Sequence, residues 1–383
     1  MRNNKMMNMK LQSNKDPPLL KMPKKSVIPL HIYQTWHTQD LPHHMKAHAE
    51  LLKRQNPEFQ YHLYDDAMCR EFIQANFDKD VLWAFDKLKP GAYKADLWRY
   101  CILYKQGGIY LDIKFVCERR FRFIYLTDKE YWVRDLFHNQ HPHVYQALMI
   151  NLPGNPILKA AIDSIVQSCQ NSVYDSVNCL SITGPGLLGT YFNQKYLQTH
   201  CELVNEGTTI SCKGVPILAH YAQYRTEQHK KQVTSHYTQL WENMDIYHYP
   251  ILTPTSRHPF EKKEKKEENE KNKDLTLHIP DFFQEDVYKA TCGAHYQNQL
   301  WFLLSKKRTR QNTTRQKNLH FFAIFDDSMN KLLQYSECVS FANDEHHTEL
   351  YSIEGKEMIL GAGSNANRYD MDYILQELKW YVV

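Results

Sequence analysis

Two oppositely charged residues lie three positions apart in a segment whose pattern predicts a helix. At this spacing Asp96 and Arg99 share one helix face, so a carboxylate and a guanidinium can meet. Residues 92–105 carry apolar side chains at helical spacing, and no glycine or proline interrupts them. Such a pair is usually a weak surface ion pair. Because this helix is rich in apolar residues, we expect the two charged side chains to be buried. Buried charged groups are tolerated when they are paired or take part in function.

A change of period follows this predicted helix. The glycine pair at 107–108 predicts its end, because glycine adopts the left-handed conformation without strain. Residues 109–115 then alternate with period two, which predicts a strand with Tyr110, Asp112 and Lys114 on its polar face. A polar strand face beside a buried ion pair indicates a cleft rather than an outer surface.

The whole segment resembles the signature of glycosyltransferases with a DXD sugar-binding region. That group includes the yeast mannosyltransferase that initiates outer chains, and the glucosylating domains of large clostridial toxins are similar. Its pattern is a helix with Ala-Asp and a later Arg, a Gly-Gly turn, an aromatic residue, a hydrophobic residue and Asp-X-Asp. The matching residues in this chain are Ala95, Asp96, Arg99, Gly107, Gly108, Tyr110 and Asp112. Lys114 stands where the second Asp of the DXD is expected.

The resemblance implies a chemical role for each matched residue. Asp96 would accept hydrogen bonds from sugar hydroxyls, and Arg99 would donate to sugar oxygens. Asp112 would bind Mn²⁺ or Mg²⁺ bridging the phosphates of a nucleotide-sugar donor, since hard cations favour carboxylate and phosphate oxygens. These three residues form the predicted catalytic set, with Asp112 as the metal ligand. The resemblance also implies that the anomeric configuration is retained.

Lys114 leaves three interpretations open. Its ammonium group could replace part of the metal's charge and contact phosphate directly. Alternatively, the metal is held by Asp112, waters, phosphates and a group from residues 236–241. In the third interpretation, Lys114 caps the strand and points to solvent. Because a lysine at this place repels a divalent ion, the first interpretation predicts weak dependence on metal.

A second resemblance lies at the end of the first predicted strand. Residues 33–36, Tyr-Gln-Thr-Trp, follow the family's His-Gln-Thr-Trp, with Tyr33 in place of His. Ligands of open α/β sheets bind beyond the carboxyl ends of the strands, so a nucleobase is expected to stack on Trp36. The structural alternative is a tryptophan of the core.

Two later segments also resemble the family. Thr183 and Gly184 begin a Thr-Gly-Pro loop that leads into a helix, and His236 and Trp241 match a segment that folds over the donor diphosphate in relatives. Their structural alternatives are an ordinary Gly-Pro loop and a helix end with aromatic packing. The predicted substrate-binding residues are Trp36, Tyr110, Lys114, Thr183, Gly184, His236 and Trp241.

The elements before the central helix predict the fold class. The sequence pattern predicts a strand at 28–35, a helix at 43–56 and a second strand at 59–64. A strand-helix-strand unit of this kind gives a pair of parallel strands. No glycine-rich fingerprint follows the first strand, which excludes the common dinucleotide fold. The predicted class is α/β, a Rossmann-like nucleotide-sugar transferase domain (GT-A type) with a small C-terminal α+β or β domain.

Composition predicts four segments along the chain. Residues 1–26 are basic and polar and read as a flexible tail, and residues 27–255 form the predicted catalytic domain. Residues 256–275 are predicted to be a charged linker, because residues 261–274 contain no apolar side chain. Residues 276–383 form a C-terminal domain without a recognised motif.

The whole-chain properties exclude several classes of protein. A net charge of +4 over 383 residues argues against a nucleic-acid partner. Nine cysteines without a CxxC pair favour a reducing compartment. The sequence shows no apolar run of transmembrane length and no signal-peptide pattern, which predicts a cytoplasmic protein with peripheral membrane association as an alternative.

The predicted function is transfer of a hexose from a nucleotide sugar to a glycan, lipid or protein acceptor. Two other functions remain open at the level of sequence: a non-catalytic nucleotide-sugar or glycan-binding protein, and a nucleotide-sugar hydrolase. The sequence assigns no oligomeric state.

Overall fold

A computed structural model describes most of the chain. The described residues are 23, 25–118, 121–135, 142–174, 178–230 and 235–249, and shorter stretches between 251 and 382. The chain divides into two compact units. The first unit comprises residues 1–85, 90–166 and 178–235, and the second comprises residues 86–89, 167–177 and 236–383.

The segment boundaries predicted from the sequence differ from the boundaries of these two units, and they stay predictions. Residues 27–255 overlap the first unit, but residues 236–255 group with the second unit. The tail at 1–22 and the charged run at 261–274 lie outside the described residues.

The first unit is built on one mixed β-sheet. Its strands are β1 (His31–Thr35), β2 (Gln60–Tyr64), β3 (Gly108–Leu111), β4 (Phe115–Cys117), β5 (Tyr131–Arg134), β6 (Val144–Asn151), β7 (Leu203–Asn205), β8 (Thr209–Cys212) and β9 (Val215–His220). In space they follow the order β2-β1-β3-β6-β5-β7-β8-β9-β4. The neighbours of β1 both run parallel to it, whereas β6 runs antiparallel to β3 and to β5.

Helices connect the strands along the chain. They are α1 (His43–Gln55), α2 (Asp66–Asn76), α3 (Lys79–Lys87), α4 (Gly91–Gln106), α5 (Pro156–Gln170), α6 (Pro185–Gly189), α7 (Gln194–His200) and α8 (Tyr224–Lys230). Because α1 joins the parallel strands β1 and β2, the predicted strand-helix-strand unit is confirmed. The α/β class predicted for this part of the chain is likewise confirmed.

Helix α4 is enclosed on every side. Eight consecutive residues, 96–103, are buried, so α4 has no solvent-facing stripe over two full turns. Trp98 and Tyr100 are among the largest fully buried side chains of the described residues. The charges of Asp96 and Arg99 are consequently held inside the fold, as the apolar character of the segment predicted.

The prediction of one continuous strand over residues 109–115 is wrong, because the structure has two separate strands there. Strand β3 ends at Leu111, and the chain then turns, with the N–H of Phe115 donating to the carbonyl of Asp112 at 3.1 Å. Strand β4 pairs with β9, at the far end of the sheet order from β1 and β2. Two contacts hold this turn. The N–H of Asp112 donates to the carbonyl oxygen of Ala147 at 2.8 Å, and the Ile113 side chain packs into an apolar cluster separate from the main core.

The described part of the second unit is mostly β-structure. Its helices are α9 (Tyr237–Glu242) and α10 (Met371–Glu377). Its strands are β10 (Ile251–Leu252), β11 (Ser256–Pro259), β12 (Lys289–Tyr296), β13 (Gln299–Thr309), β14 (Gln316–Phe325), β15 (Leu332–Ser336), β16 (Ser340–Phe341), β17 (Leu350–Glu354), β18 (Glu357–Ala362), β19 (Asn365–Asp370) and β20 (Trp380–Val382).

These strands form three sheets. Two are antiparallel, with the orders β11-β19-β18-β17 and β12-β13-β14-β15-β20, and the third is the parallel pair β10-β16. The expectation of a C-terminal α+β or β fold therefore agrees with the described residues.

The glycine pair after α4 sets the path from helix to sheet. Gly107 is the C-cap residue of α4, with φ of 62°, and Gly108 has φ of 107°. A Cβ atom on Gly108 would lie 2.9 Å from the carbonyl oxygen of His31, on β1. Only glycine therefore lets β3 start close beside β1.

We expect Gly108→Ala to lower the free energy of unfolding by about 1–3 kcal/mol, through strain in the left-handed region and the clash with β1. Urea unfolding measures the effect. Gly91→Ala is the matched control, because a Cβ atom at that position would meet nothing within 4 Å and the residue stands at the start of α4, the helix that precedes β3. Equal unfolding midpoints for the two variants would contradict the strain argument.

Candidate active site

Asp96 lies in a largely buried polar environment. Its Oδ1 is 3.3 Å from Nη2 of Arg99, and its Oδ2 accepts a hydrogen bond of 2.7 Å from the Thr183 hydroxyl. Burial raises the pKa of Asp96, and the charge of Arg99 and the hydrogen bond from Thr183 offset only part of that rise. Both carboxylate oxygens are therefore held in fixed positions by groups from two separate elements.

Arg99 connects two carboxylates. In addition to its contact with Asp96, its Nη1 lies 3.4 Å from Oδ1 of Asp112 and donates to the Gln146 carbonyl at 3.0 Å. Its guanidinium carbon lies 4.2 Å from the centre of the Tyr110 ring, a cation–π distance. Helix α4 and strands β3 and β6 thus meet at one side chain.

Asp112 has a partner on each carboxylate oxygen. Oδ1 accepts from the Tyr110 hydroxyl at 2.8 Å in addition to its contact with Arg99, and Oδ2 lies 2.8 Å from Nζ of Lys114. Burial raises the pKa of Asp112, but Lys114 and Arg99 lower it more, to about 2. Asp112 is therefore ionised at neutral pH.

Lys114 folds back onto Asp112. Its side chain is 16% exposed, and its ammonium group also hydrogen-bonds Tyr145. Burial lowers the pKa of Lys114, but Asp112 and Tyr145 raise it more, so the ammonium stays charged. The interpretation in which Lys114 only caps a strand and points to solvent does not fit this arrangement.

The Thr-Gly-Pro loop is anchored to α4. The Thr183 carbonyl accepts from the Tyr100 hydroxyl at 2.8 Å and from the Gln146 amide at 3.0 Å. Gly184 is the N-cap of α6, and a Cβ atom there would lie 2.7 Å from the carbonyl oxygen of Leu180. The hydrogen bonds from Tyr100 and Gln146 hold Thr183 beside α4, where its hydroxyl reaches Asp96.

Sequence reasoning missed two residues of this network, Tyr100 and Gln146. The amide of Gln146 also hydrogen-bonds the Tyr100 hydroxyl, so both support the loop that reaches Asp96. Each carried a readable signal. Tyr100 lies four residues after Asp96 on the same helix, and Gln146 is a polar residue that precedes the apolar run 147–150 of strand β6.

Trp36 follows β1 directly and lies close to the turn at Asp112. It is half-buried and packs in an apolar cluster that contains Ile113, Met45 and Tyr221. Its indole nitrogen is buried and has no hydrogen-bond partner among the described residues. The partial exposure of the ring is compatible with stacking on a base, which stays a prediction.

His236 and Trp241 belong to the second unit. His236 is the exposed N-cap of α9, where its ring nitrogen accepts from the N–H of Thr238 at 3.3 Å, and Trp241 is buried. These positions agree with the structural alternative, a helix end with aromatic packing. Their roles towards a donor stay predictions.

The site lies in a segment of the chain that matches a known protein family. Residues 42–137 match the family described as glycosyltransferase sugar-binding region containing DXD motif. The matched segment contains Asp96, Arg99, Asp112 and Lys114.

Similar curated proteins include fungal mannosyltransferases. The mannosyl phosphorylinositol ceramide synthase SUR1 of Saccharomyces cerevisiae is 36% identical over 107 residues, 28% of this chain and 27% of that protein. The inositol phosphoceramide mannosyltransferase 2 of Schizosaccharomyces pombe is 28% identical over 159 residues, 42% of this chain and 44% of that protein. The chain spans less than half the length of each of these relatives.

A further relative and one solved structure are also similar. The initiation-specific alpha-1,6-mannosyltransferase of Candida albicans is 29% identical over 91 residues, 22% of this chain and 24% of that protein. The PaToxG glycosyltransferase structure shows 16% identity and a TM-score of 0.34, covering 45% of this chain and 70% of that one.

DXD-region glycosyltransferases generally use a divalent metal ion, but the residues at this site do not fit one. Both oxygens of Asp112 already have cationic or hydrogen-bonding partners. Among the described residues, no group of three or more His, Cys, Asp or Glu side chains could hold a metal. Hard cations take oxygen ligands from carboxylates, waters and substrate phosphates, and the carboxylate at the DXD position already has the Lys114 ammonium on Oδ2 and Arg99 and Tyr110 on Oδ1.

The predicted cytoplasmic localisation is wrong. The matched Saccharomyces and Schizosaccharomyces enzymes are named for work on inositol phosphoceramide, and ceramides are membrane lipids. The sequence argument failed because it relied on the lack of a visible membrane segment. In the part of the chain that the structure describes, no helix is long and apolar enough to cross a membrane.

The central features of the resemblance lie inside the matched segment: the Ala-Asp helix, the Gly-Gly turn and the DXD position. The resembling residues at 33–36, 183–184 and 236–241 lie outside it and stay predictions. The resemblance to glycosyltransferases with a DXD sugar-binding region, drawn from these residues, is therefore confirmed over residues 42–137.

Proposed function

We propose that this protein is a glycosyltransferase that moves a hexose from a nucleotide sugar to an acceptor hydroxyl. The observation that carries the proposal is the buried network in which Arg99 joins Asp96 to Asp112, within the segment that matches the DXD family. Buried charges are costly to keep, and a network of this kind in a family segment favours use in chemistry.

Access to the network is easiest at its Asp112 end. The Asp112 side chain is 23% exposed, whereas those of Asp96 and Arg99 are 11% and 8% exposed. A donor would approach from the side of Asp112 and Lys114. Its sugar hydroxyls would reach Asp96 and Arg99, in positions fixed before binding, which limits the entropy lost on orientation.

In the proposed reaction, the bond between the anomeric carbon and the diphosphate oxygen breaks, and its electron pair stays on that oxygen. The acceptor hydroxyl oxygen forms the new bond to the anomeric carbon, and its proton passes to the released diphosphate or to solvent. The cationic groups of Arg99 and Lys114 stabilise the negative charge that develops on the leaving group. Retention of configuration is the outcome that the resemblance implies.

For the substrates we propose mannose as the sugar and an inositol-containing sphingolipid as the acceptor to be tested first. This choice rests on the names of the matched fungal relatives, which mention mannosyl groups or mannosyltransferases and inositol-containing ceramides. Glycan and protein acceptors form the second set. A sugar nucleotide panel with GDP- and UDP-linked hexoses covers the donor side.

The direct test incubates the full chain with each donor, with and without an acceptor, in Mn²⁺ and in chelator. Nucleoside diphosphate together with glycosylated acceptor supports the proposal. Free sugar in every condition supports a hydrolase instead. Donor binding without turnover supports a non-catalytic binding protein.

Asp96→Asn is expected to reduce turnover at least 100-fold, because the amide keeps the size of the side chain but no longer pairs with Arg99 or accepts on both oxygens. Initial rates at saturating donor measure the loss, and circular dichroism checks the fold. Asp163→Asn is the matched control, since Asp163 forms an exposed ion pair with Lys159 on α5. A folded Asp96→Asn protein with the turnover of the control would refute the role of Asp96.

Trp36→Ala is expected to weaken nucleotide binding at least tenfold, because base stacking on an aromatic ring contributes about 1–3 kcal/mol. Titration calorimetry with GDP and UDP measures the affinity, and Trp36→Phe should keep most of it. Tyr196→Ala, which removes an exposed ring on α7, serves as the control. If Trp36→Ala and the control bind nucleotide equally well, Trp36 is only a packing residue.

A further inference from the structure

The charges of the site balance without a metal ion. With both carboxyl groups ionised, Asp96 and Asp112 carry two negative charges, and Arg99 and Lys114 carry two positive charges. Burial raises the pKa of Asp96 to about 7, so the balance is complete above neutral pH. With a second Asp of the DXD at position 114, three carboxylates would face one guanidinium. The excess of two negative charges would then equal the charge of one divalent cation.

Lys114 also occupies the space in which a metal would have to bind Asp112. Its Nζ lies 2.8 Å from Oδ2 of Asp112, while Arg99 and Tyr110 contact Oδ1. A divalent ion on either oxygen would have to displace one of these groups and lie next to a buried ammonium or guanidinium. Like charges at such distances repel strongly where water is scarce.

The ammonium group keeps capacity for a ligand. It has three N–H donors, and Asp112 and Tyr145 take two of them. The side chains of Lys114 and Asp112 are in contact and are 16% and 23% exposed, so neither is fully closed to an approaching group. A phosphate oxygen would complete the set of acceptors around the ammonium.

A second polar group lies beside Lys114. His220, which pairs with Phe115 in the β4–β9 ladder, has a buried Nε2 without a hydrogen-bond partner among the described residues. Burial lowers the pKa of His220, and the charge of Lys114 lowers it further, to about 4. The imidazole is therefore neutral at physiological pH and adds no further positive charge to the site.

We infer that the Lys114 ammonium takes the place of the divalent cation at this site and binds the diphosphate of the donor directly. Nucleoside diphosphate binding then needs no metal. This inference rests on the proposed glycosyltransferase function, because it assumes a nucleotide-sugar donor. Lysine suits the role as a compact point charge that phosphate attracts.

The test measures binding of GDP and UDP by calorimetry in chelator and in Mn²⁺. The wild-type protein should bind one of them with the same affinity, within twofold, in both conditions. Lys114→Gln, which removes the charge but keeps a polar side chain of similar length, should lose at least tenfold in chelator. Lys129→Gln is the matched control, because Lys129 forms an exposed pair with Glu202.

The reverse exchange tests the charge argument. Lys114→Asp should bind nucleotide at least tenfold more tightly with Mn²⁺ than in chelator. In the same variant, Mn²⁺ alone should raise the thermal unfolding temperature, and the electron paramagnetic resonance signal of free Mn²⁺ should fall. The wild-type protein should show neither effect. If Lys114→Asp does not fold, the wild-type and Lys114→Gln measurements still decide the question.

The possible failures are distinguishable. Wild-type binding that appears only with Mn²⁺, or Mn²⁺ binding by the wild-type protein at this site, overturns the inference and leaves the proposed function standing. Full affinity of Lys114→Gln in chelator also overturns it. Absence of GDP and UDP binding by the wild-type protein in both conditions overturns the inference and the proposed function together.

Discussion

The contact of Arg99 with two carboxylates is the interaction on which the rest of the site depends. Because α4 is buried over residues 96–103, water cannot solvate the charges that it carries. Each charge must therefore find its partner within the protein. Arg99 meets that demand for Asp96 and Asp112 at once, and the removal of either partner would leave the remaining charges unbalanced in a medium of low dielectric constant.

The backbone fixes where these partners lie. The glycines at 107–108 let β3 start directly after α4 and pair beside β1, so Asp112 comes to the end of a central strand. The chain then leaves the sheet position of β3, and its turn brings Lys114 back to Asp112. The loop at Thr183 comes from another element and is bound to α4 by the hydrogen bond from the Tyr100 hydroxyl to the Thr183 carbonyl. Local backbone conformation thus assembles side chains that are far apart in sequence.

The local part of this arrangement could be predicted from the sequence, and the non-local part could not. Helical spacing predicted that Asp96 and Arg99 would meet, and the glycine pair predicted the end of α4. Period-two alternation failed at Asp112, since the turn depends on the hydrogen bond from its N–H to β6, a contact that no local pattern encodes. The support given by Gln146 was missed for the same reason, because strand pairing decides which side chain of β6 faces α4.

The requirement for charge balance explains how a family motif can change without loss of the buried network. A replacement of Asp by Asn at position 114 would remove a ligand and leave the remaining charges unequal once the metal is lost. A replacement by Lys changes the formal charge by two, which is the charge that a divalent cation would have supplied. The ammonium also reaches Asp112 at 2.8 Å, so the carboxylate keeps a cationic partner. If Lys114 takes the place of the cation as inferred above, the charge balance of the buried cluster is preserved although one ligand has changed.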